Sequence, residues 1–305
     1  MLRENNKMIV TKRKQKKNFK LFVIVVPLVL LITYFAVNPD RWYLLTAGSG
    51  RQEISVKKNK GTMEEYSLAD MQENELFQFN QSLMLINTDY MLSGDFVAEV
   101  TEYKDTEVMM NACVPAAYST LSDAVKAATG DKLYISSGIR DRKHQQELYE
   151  EDPETATIPG ASEHETGLCM DVYVAYYAGD GFLKSEAGQY VNSHCDEYGF
   201  IIRYPSYGER KTGIRFEPWH IRYVGFPHSE IIYNNVLTLE EYIFSLEEGI
   251  CYEANGYLIT RQRPRDGKVY VPAGCETYVV SPDNTGCYII TGKKTVAKIK
   301  YLETI

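Results

Sequence analysis

Apolar and polar positions change rhythm several times along the chain. Leu21 to Val37 is an apolar run without a charge, and Arg41 to about Gln78 is polar with scattered apolar residues, the pattern of an extended stalk. Leu83-Met84-Leu85-Ile86 opens the packed part as a strand or an extended entry segment. Ala117, Leu121, Ala124, Val125 and Ala128 recur at helical spacing and predict a helix from about Val114 that ends near Gly130. Lys132 to Ser136 reads as a strand, Asp141 to Glu150 as a helix, and Glu151 to Ile158 as a loop. Gly167 to Val174 is β-forming after a Gly hinge. A period of two puts Leu168, Met170, Val172 and Val174 on one face, and Cys169, Asp171 and Tyr173 on the other. Ser185 caps a helix that runs to about Tyr198 and is closed by Gly199. Phe200 to Tyr204 and Ile214 to Tyr223 are the next strand regions, and Thr238 to Glu241 is a capping box. Beyond Gly249, four alternating runs begin at Tyr257, Lys268, Thr277 and Cys287. Turn signals such as Asn255-Gly256 and Asp266-Gly267 separate them, so a small all-β module is expected.

The apolar run has a strongly basic flank, with eight Lys or Arg and one acid in residues 1–20. At about 1.5 Å per residue the run spans roughly 25 Å, a little short of a ~30 Å hydrocarbon core unless Asn38 and Pro39 lie at the interface. Trp42 and Tyr43 fall where an aromatic belt would lie. The expectation is a single-pass anchor in the cell membrane, N-terminus cytoplasmic and the rest of the chain outside. The rival is a cleaved signal peptide, for which the run is long and lacks a nearby small-x-small site. The organisation expected is a basic tail (1–20), an anchor (21–37), a stalk (38–78), a main domain (79–248) and the β module (249–305). Without its basic tail the chain is more acidic than its overall net charge of −8, which argues against nucleic acid as a partner. Six cysteines in an exported chain are permitted disulfides. Three lie before residue 236 and three after it, so not all can pair within their own part.

Candidate chemistry concentrates in two segments, Ser162 to Asp171 and Glu217-Pro218-Trp219-His220. His164, Asp171 and His220 offer two imidazoles and a carboxylate for a divalent metal, and Glu217 is a further carboxylate for acid/base work. This is the outline of a catalytic zinc site with one position left open. Spacing supports it only in part. Glu217 and His220 are three apart and would fall on opposite faces of a straight strand, but Pro218 makes a local irregularity plausible. Cys169, on the face that carries Asp171, is a small apolar residue in a tight place or else an oxidisable thiol. His144, His194 and His228 match no ligand position.

Four blocks in order give a specific resemblance. They are Ser136-Ser137-Gly138-Ile139-Arg140 with Gln145; Pro159 through His164 to Asp171; Tyr198-Gly199-Phe200-Ile201-Ile202-Arg203-Tyr204-Pro205; and Glu217 through Gly225. Together they resemble the VanY-type D-alanyl-D-alanine carboxypeptidases, zinc D,D-peptidases related to the D-Ala-D-Ala dipeptidases and to the hedgehog signalling domain. The match covers Leu83 to about Glu241. It departs at Ile139, where the family usually has an aromatic residue, and at Cys169, where it usually has Ala. The resemblance implies an α+β domain with a central antiparallel sheet and flanking helices. It also implies Zn²⁺ on His164, Asp171 and His220, and Glu217 as general base and acid. Arg140 would bind substrate and help hold the oxyanion, and Gln145 and Ser162 are weaker substrate-binding candidates, Ser162 equally a cap of the following turn. The implied partner is a peptidoglycan peptide ending in D-Ala-D-Ala, from which one D-Ala is released, with a role in vancomycin-type resistance or wall remodelling. Dipeptidase or endopeptidase action at the same zinc site is the nearest alternative. A non-catalytic zinc protein that binds the wall is the alternative of another class, and the presence of Glu217 argues against it.

Overall fold

The computed structural model describes residues 23–154 and 156–295. The basic tail and the first two residues of the apolar run lie outside them. Helices at Val23–Val37 and Pro39–Thr46 meet at a 98° bend, and no single helix among the described residues is long and apolar enough to cross a membrane. From Gly48 onward the chain folds as a separate compact unit.

Its described residues hold fourteen short strands. β1 (Lys57–Asn59), β2 (Met63–Ser67) and β3 (Phe77–Phe79) come first, followed by the hairpin of β4 (Val100–Glu102) and β5 (Met109–Asn111). β6 (Tyr134–Ser137), β7 (Cys169–Tyr173), β8 (Phe200–Ile202) and β9 (His220–Tyr223) form an antiparallel sheet in the order β6-β7-β9-β8. β10 (Cys251–Ala254), β11 (Tyr257–Gln262), β12 (Lys268–Pro272), β13 (Cys275–Pro282) and β14 (Tyr288–Lys294) close the chain. The result is an α+β architecture. The helix Pro115–Thr129 covers one face of the four-stranded sheet. Its Leu121 and Val125 are buried against Leu168, Met170, Val172, Val174 and Ile221, so the apolar face expected of β7 is indeed core. Truncating a fully buried Leu of this kind costs about 2–5 kcal/mol. The opposite face of the sheet is left free to carry polar side chains.

The expected stalk is not extended over its second half. β1 pairs with β10, β2 with β12, and β3 lies parallel to β13, so residues 57–79 complete the C-terminal sheets. Phe77 and Met71 are buried there with Val269, Val271, Tyr278 and Val280. The stretch looks polar because strands of three to five residues are too short to display alternation. β1 also lies at a sheet end and β2 in a two-stranded ribbon, where Lys and Glu are suited to exposed edges. Leu83 to Ile86 is buried as expected but is an irregular segment rather than a strand. A second core joins the β module to the rest, with Ile259 and Ile289 packed among Leu83, Leu85, Ile201, Val224, Leu239 and Ile243.

Candidate metal centre and active site

The site is built on the polar face of β7 and β9. In their antiparallel register Asp171 stands directly opposite His220, so a cross-strand pair supplies two candidate ligands at once. The third comes from the turn before β7. Glu163–Thr166 forms a short 3₁₀ helix that ends at Gly167 with φ +68°, and a Cβ at Gly167 would lie 2.8 Å from the backbone N of Asn111. Only glycine fits there, because it alone tolerates both the left-handed backbone and the close approach of β5. The reversal brings His164 over the sheet. Its Nδ1–H donates to the carbonyl oxygen of Gly138 at 2.7 Å, which leaves Nε2 with a free lone pair.

His164 Nε2 lies 3.5 Å from Asp171 Oδ2, and His220 Nδ1 lies 3.0 Å from Asp171 Oδ1. Ligands bonded at about 2.0–2.1 Å around a tetrahedral ion sit roughly 3.3–3.4 Å from one another, so these separations fit a zinc ion. Burial would push the Asp171 carboxyl up. The hydrogen bond from His220 and the imidazole and guanidinium groups around it outweigh burial and hold the group below its ordinary value.

Glu217 reaches the same spot by an irregularity at Pro218. The His220 N–H donates to the Glu217 carbonyl oxygen in a tight turn, and Glu217 Oε2 comes to 3.9 Å from His220 Nδ1. Burial raises the Glu217 pKa against the pull of His220, the condition a general base and acid needs. Arg140 faces the site from the end of β6. Its guanidinium donates to Ser137 Oγ at 2.7 Å and to Gln145 Oε1 at 3.3 Å, and comes to 3.5 Å from Asp171 Oδ2.

Other expected residues land differently. Gln145 is 1% exposed and uses its amide nitrogen on the Thr157 carbonyl oxygen, so it holds Arg140 rather than offering a free amide to a ligand. Ser162 is buried before the 3₁₀ turn and makes no side-chain cap there, which removes the capping alternative. Arg222 is fully buried beneath the site and binds Glu163 and the carbonyl oxygens of Ser82 and Met84. The six cysteines are free thiols. Cys169 is 1% exposed and lies with His164 and His220 in a group whose ligand atoms are all within 4.8 Å of one another. Burial pushes its thiol up, but the two imidazoles pull it down further, to about 7.

Two residues at the site escaped the sequence reading. Tyr204 packs its ring on His220 with centroids 5.0 Å apart, a contact that strand periodicity does not announce. Glu163 is buried between Arg203 and Arg222, at 2.7 and 2.6 Å from Oε1. No local signal marks it, because its partners are 40 and 59 residues away.

Two imidazoles and a carboxylate at separations that fit a metal ion, a half-buried glutamate beside them and a guanidinium facing them fit one class, the metal-dependent hydrolases. The family model described as VanY, D-alanyl-D-alanine carboxypeptidase, matches residues 107–226 and so contains all of them. A D-alanyl-D-alanine carboxypeptidase of Enterococcus faecium is 32% identical over 261 residues, covering 77% of this chain and 82% of that protein. The bifunctional D-Ala-D-Ala dipeptidase and D-Ala-D-Ala carboxypeptidase VanXYC of Enterococcus gallinarum is 37% identical over 124 residues, covering 36% of this chain and 65% of that one. The fold is shared with the vancomycin resistance D,D-dipeptidase VanXYg, whose structure was solved with a D-Ala-D-Ala phosphinate analog. The TM-score is 0.58 at 23% identity, covering 77% of this chain and 99% of that one. The chain belongs to the VanY family of D-alanyl-D-alanine carboxypeptidases.

Proposed function

We propose that this enzyme removes the terminal D-Ala from peptidoglycan precursors or stem pentapeptides, with His164, Asp171 and His220 holding zinc. The observation that carries the reading is the Asp171–His220 cross-strand pair with Glu217 turned toward it. Zinc, when bound, supplies Lewis acidity that polarises the scissile carbonyl and acidifies the attacking water. Glu217 takes the proton from that water and later delivers it to the leaving D-Ala amine. Arg140, braced by Ser137 and Gln145, presents a fixed fork of donors to the developing oxyanion or to the substrate carboxylate. Ser162, buried beside His164, is kept as a substrate-binding residue. Elemental analysis tests the ligand assignment: about one zinc per chain is expected, lost on substituting His164, Asp171 or His220 by Ala. Retention of zinc in all three variants contradicts it.

Shortening the D-Ala-D-Ala ending withdraws the group that vancomycin-type antibiotics bind, so resistance or wall remodelling is the proposed setting. The N-terminal apolar helix and its basic flank support anchoring in the cell membrane with the enzyme outside. One observation favours a second reading, release of the intact dipeptide: the similarity to a relative that carries both activities.

A further inference from the structure

Among the buried polar atoms of the described residues, two without a hydrogen-bond partner face each other. Glu163 Oε2 and His220 Nε2 are both orphaned, and they lie 3.9 Å apart in an interior where neither meets water. An unpartnered buried carboxylate oxygen or ring N–H is costly, so such groups are rare in native interiors. The other Glu163 oxygen is fixed by Arg203 and Arg222. Arg203 is in turn held by both Glu240 oxygens, at 3.0 and 2.6 Å, and Arg222 by the carbonyl oxygens of Ser82 and Met84. Glu163 is therefore a rigidly mounted negative charge aimed at the far side of the imidazole whose Nδ1 faces Asp171.

We infer that Glu163 is a positioning residue that sets the tautomer of His220. Its Oε2, 3.9 Å behind Nε2, favours the ring proton on that nitrogen, which leaves Nδ1, the nitrogen beside Asp171, for a metal. The inference rests on the zinc reading above and adds a residue to it. A ligating imidazole needs one nitrogen free of its proton, and a carboxylate behind the other nitrogen both fixes the ring and makes it a better donor. The double-arginine clamp keeps that carboxylate charged despite its burial. Arg203 and Arg222 thus hold Glu163 in place behind His220, whereas Glu240 touches this group only at the outer side of Arg203.

Glu163→Gln reverses the polarity. Its amide oxygen would turn to the arginines and its NH₂ toward His220 Nε2, which favours the Nδ1–H tautomer that cannot ligate through Nδ1. The test compares the full chain with Glu163→Gln and Glu240→Gln. Zinc affinity is read by chelator competition, and the histidine tautomers by long-range ¹H–¹⁵N correlation of zinc-loaded protein labelled at its histidines. The expected result is a tenfold to hundredfold loss of zinc affinity in Glu163→Gln only. Glu240→Gln breaks the same arginine network away from His220, so it lowers thermal stability and leaves zinc affinity within a few-fold. Equal affinity in wild type and Glu163→Gln overturns the inference, as does equal loss in both variants. Should Glu163→Gln fail to fold, the wild-type spectrum decides alone. His220 protonated at Nε2 and metallated at Nδ1 supports the inference, and zinc on Nε2 overturns it. A wild type that binds no zinc would instead sink the metal assignment on which the inference rests.

Discussion

Glu217 lies three residues before His220, and the turn through Pro218 sets its Oε2 3.9 Å from His220 Nδ1, on the side of the ring that faces Asp171. A straight strand would have separated the two. The glutamate is therefore beside the candidate ligands without being required as one, half-buried and with a pKa raised by burial. Glu217→Gln is expected to lower kcat by about 10²–10⁴, the usual range for a lost general acid/base, with zinc content unchanged. A variant retaining a tenth or more of wild-type kcat in a steady-state assay would remove Glu217 from the chemistry.

Arg140 is held as a fork by Ser137 and Gln145 before any substrate arrives. Arg140→Ala is expected to reduce kcat/KM by about 10²–10³, as for loss of an oxyanion donor. Arg140→Lys restores charge but not the paired geometry, so it should recover only part. Gln145→Leu frees one side of the guanidinium and should show a smaller loss than either, measured on the same peptide.

Cys169 sits among the candidate ligands as a buried free thiol. Peroxide is expected to inactivate the wild type, Cys169→Ala to resist it, and prior zinc loading to slow the loss. Equal inactivation rates in wild type and variant would show that the other thiols or the metal ligands are the targets.

His228 hydrogen-bonds Tyr242 and Thr291, tying the helix His228–Asn234 to the helix Leu239–Ser245 and to β14. Burial depresses its pKa to about 3, well below the ordinary value of 6.5. The unfolded chain thus binds the proton more readily than the folded one. The stability this neutral imidazole carries is fully present above about pH 6.5 and is lost as pH falls toward about 3, at about 1.4 kcal/mol per unit from this group. Thermal denaturation at pH 7 and pH 5 should show a smaller pH dependence in His228→Gln than in the wild type. The same slope in both would assign acid sensitivity elsewhere.

How far the site was readable follows from the distance over which each relationship acts. Period-two alternation in Gly167 to Val174 separated Met170 and Val172 from Asp171, and the structure places the first two in the core and Asp171 in the site. The helix over Ala117 to Ala128 and the Thr238 capping box were equally local signals and are present. What escaped is long-range. Arg203 and Arg222 close on Glu163 from far along the chain, and β1 to β3 gain their partners only from residues beyond 250. A stretch of three to five residues with at most one buried side chain carries too little periodicity to be told from a stalk. Its role yields a stability test. A chain starting at residue 80 leaves Val269, Val271 and Val280 uncovered and should unfold at lower temperature than one starting at residue 48, each such side chain contributing about 1.5–3 kcal/mol when buried. Identical melting would mean that β1 to β3 are dispensable decoration.

The most direct measurement is product analysis. The zinc-loaded enzyme is incubated with a muramyl pentapeptide ending in D-Ala-D-Ala and the products are weighed by mass spectrometry, with Glu217→Ala and chelator-treated enzyme as controls. Loss of a single D-Ala, absent in both controls, is the expected result. Loss of the intact dipeptide alone would move the specificity to the second reading, and an uncleaved peptide with zinc bound would contradict the account.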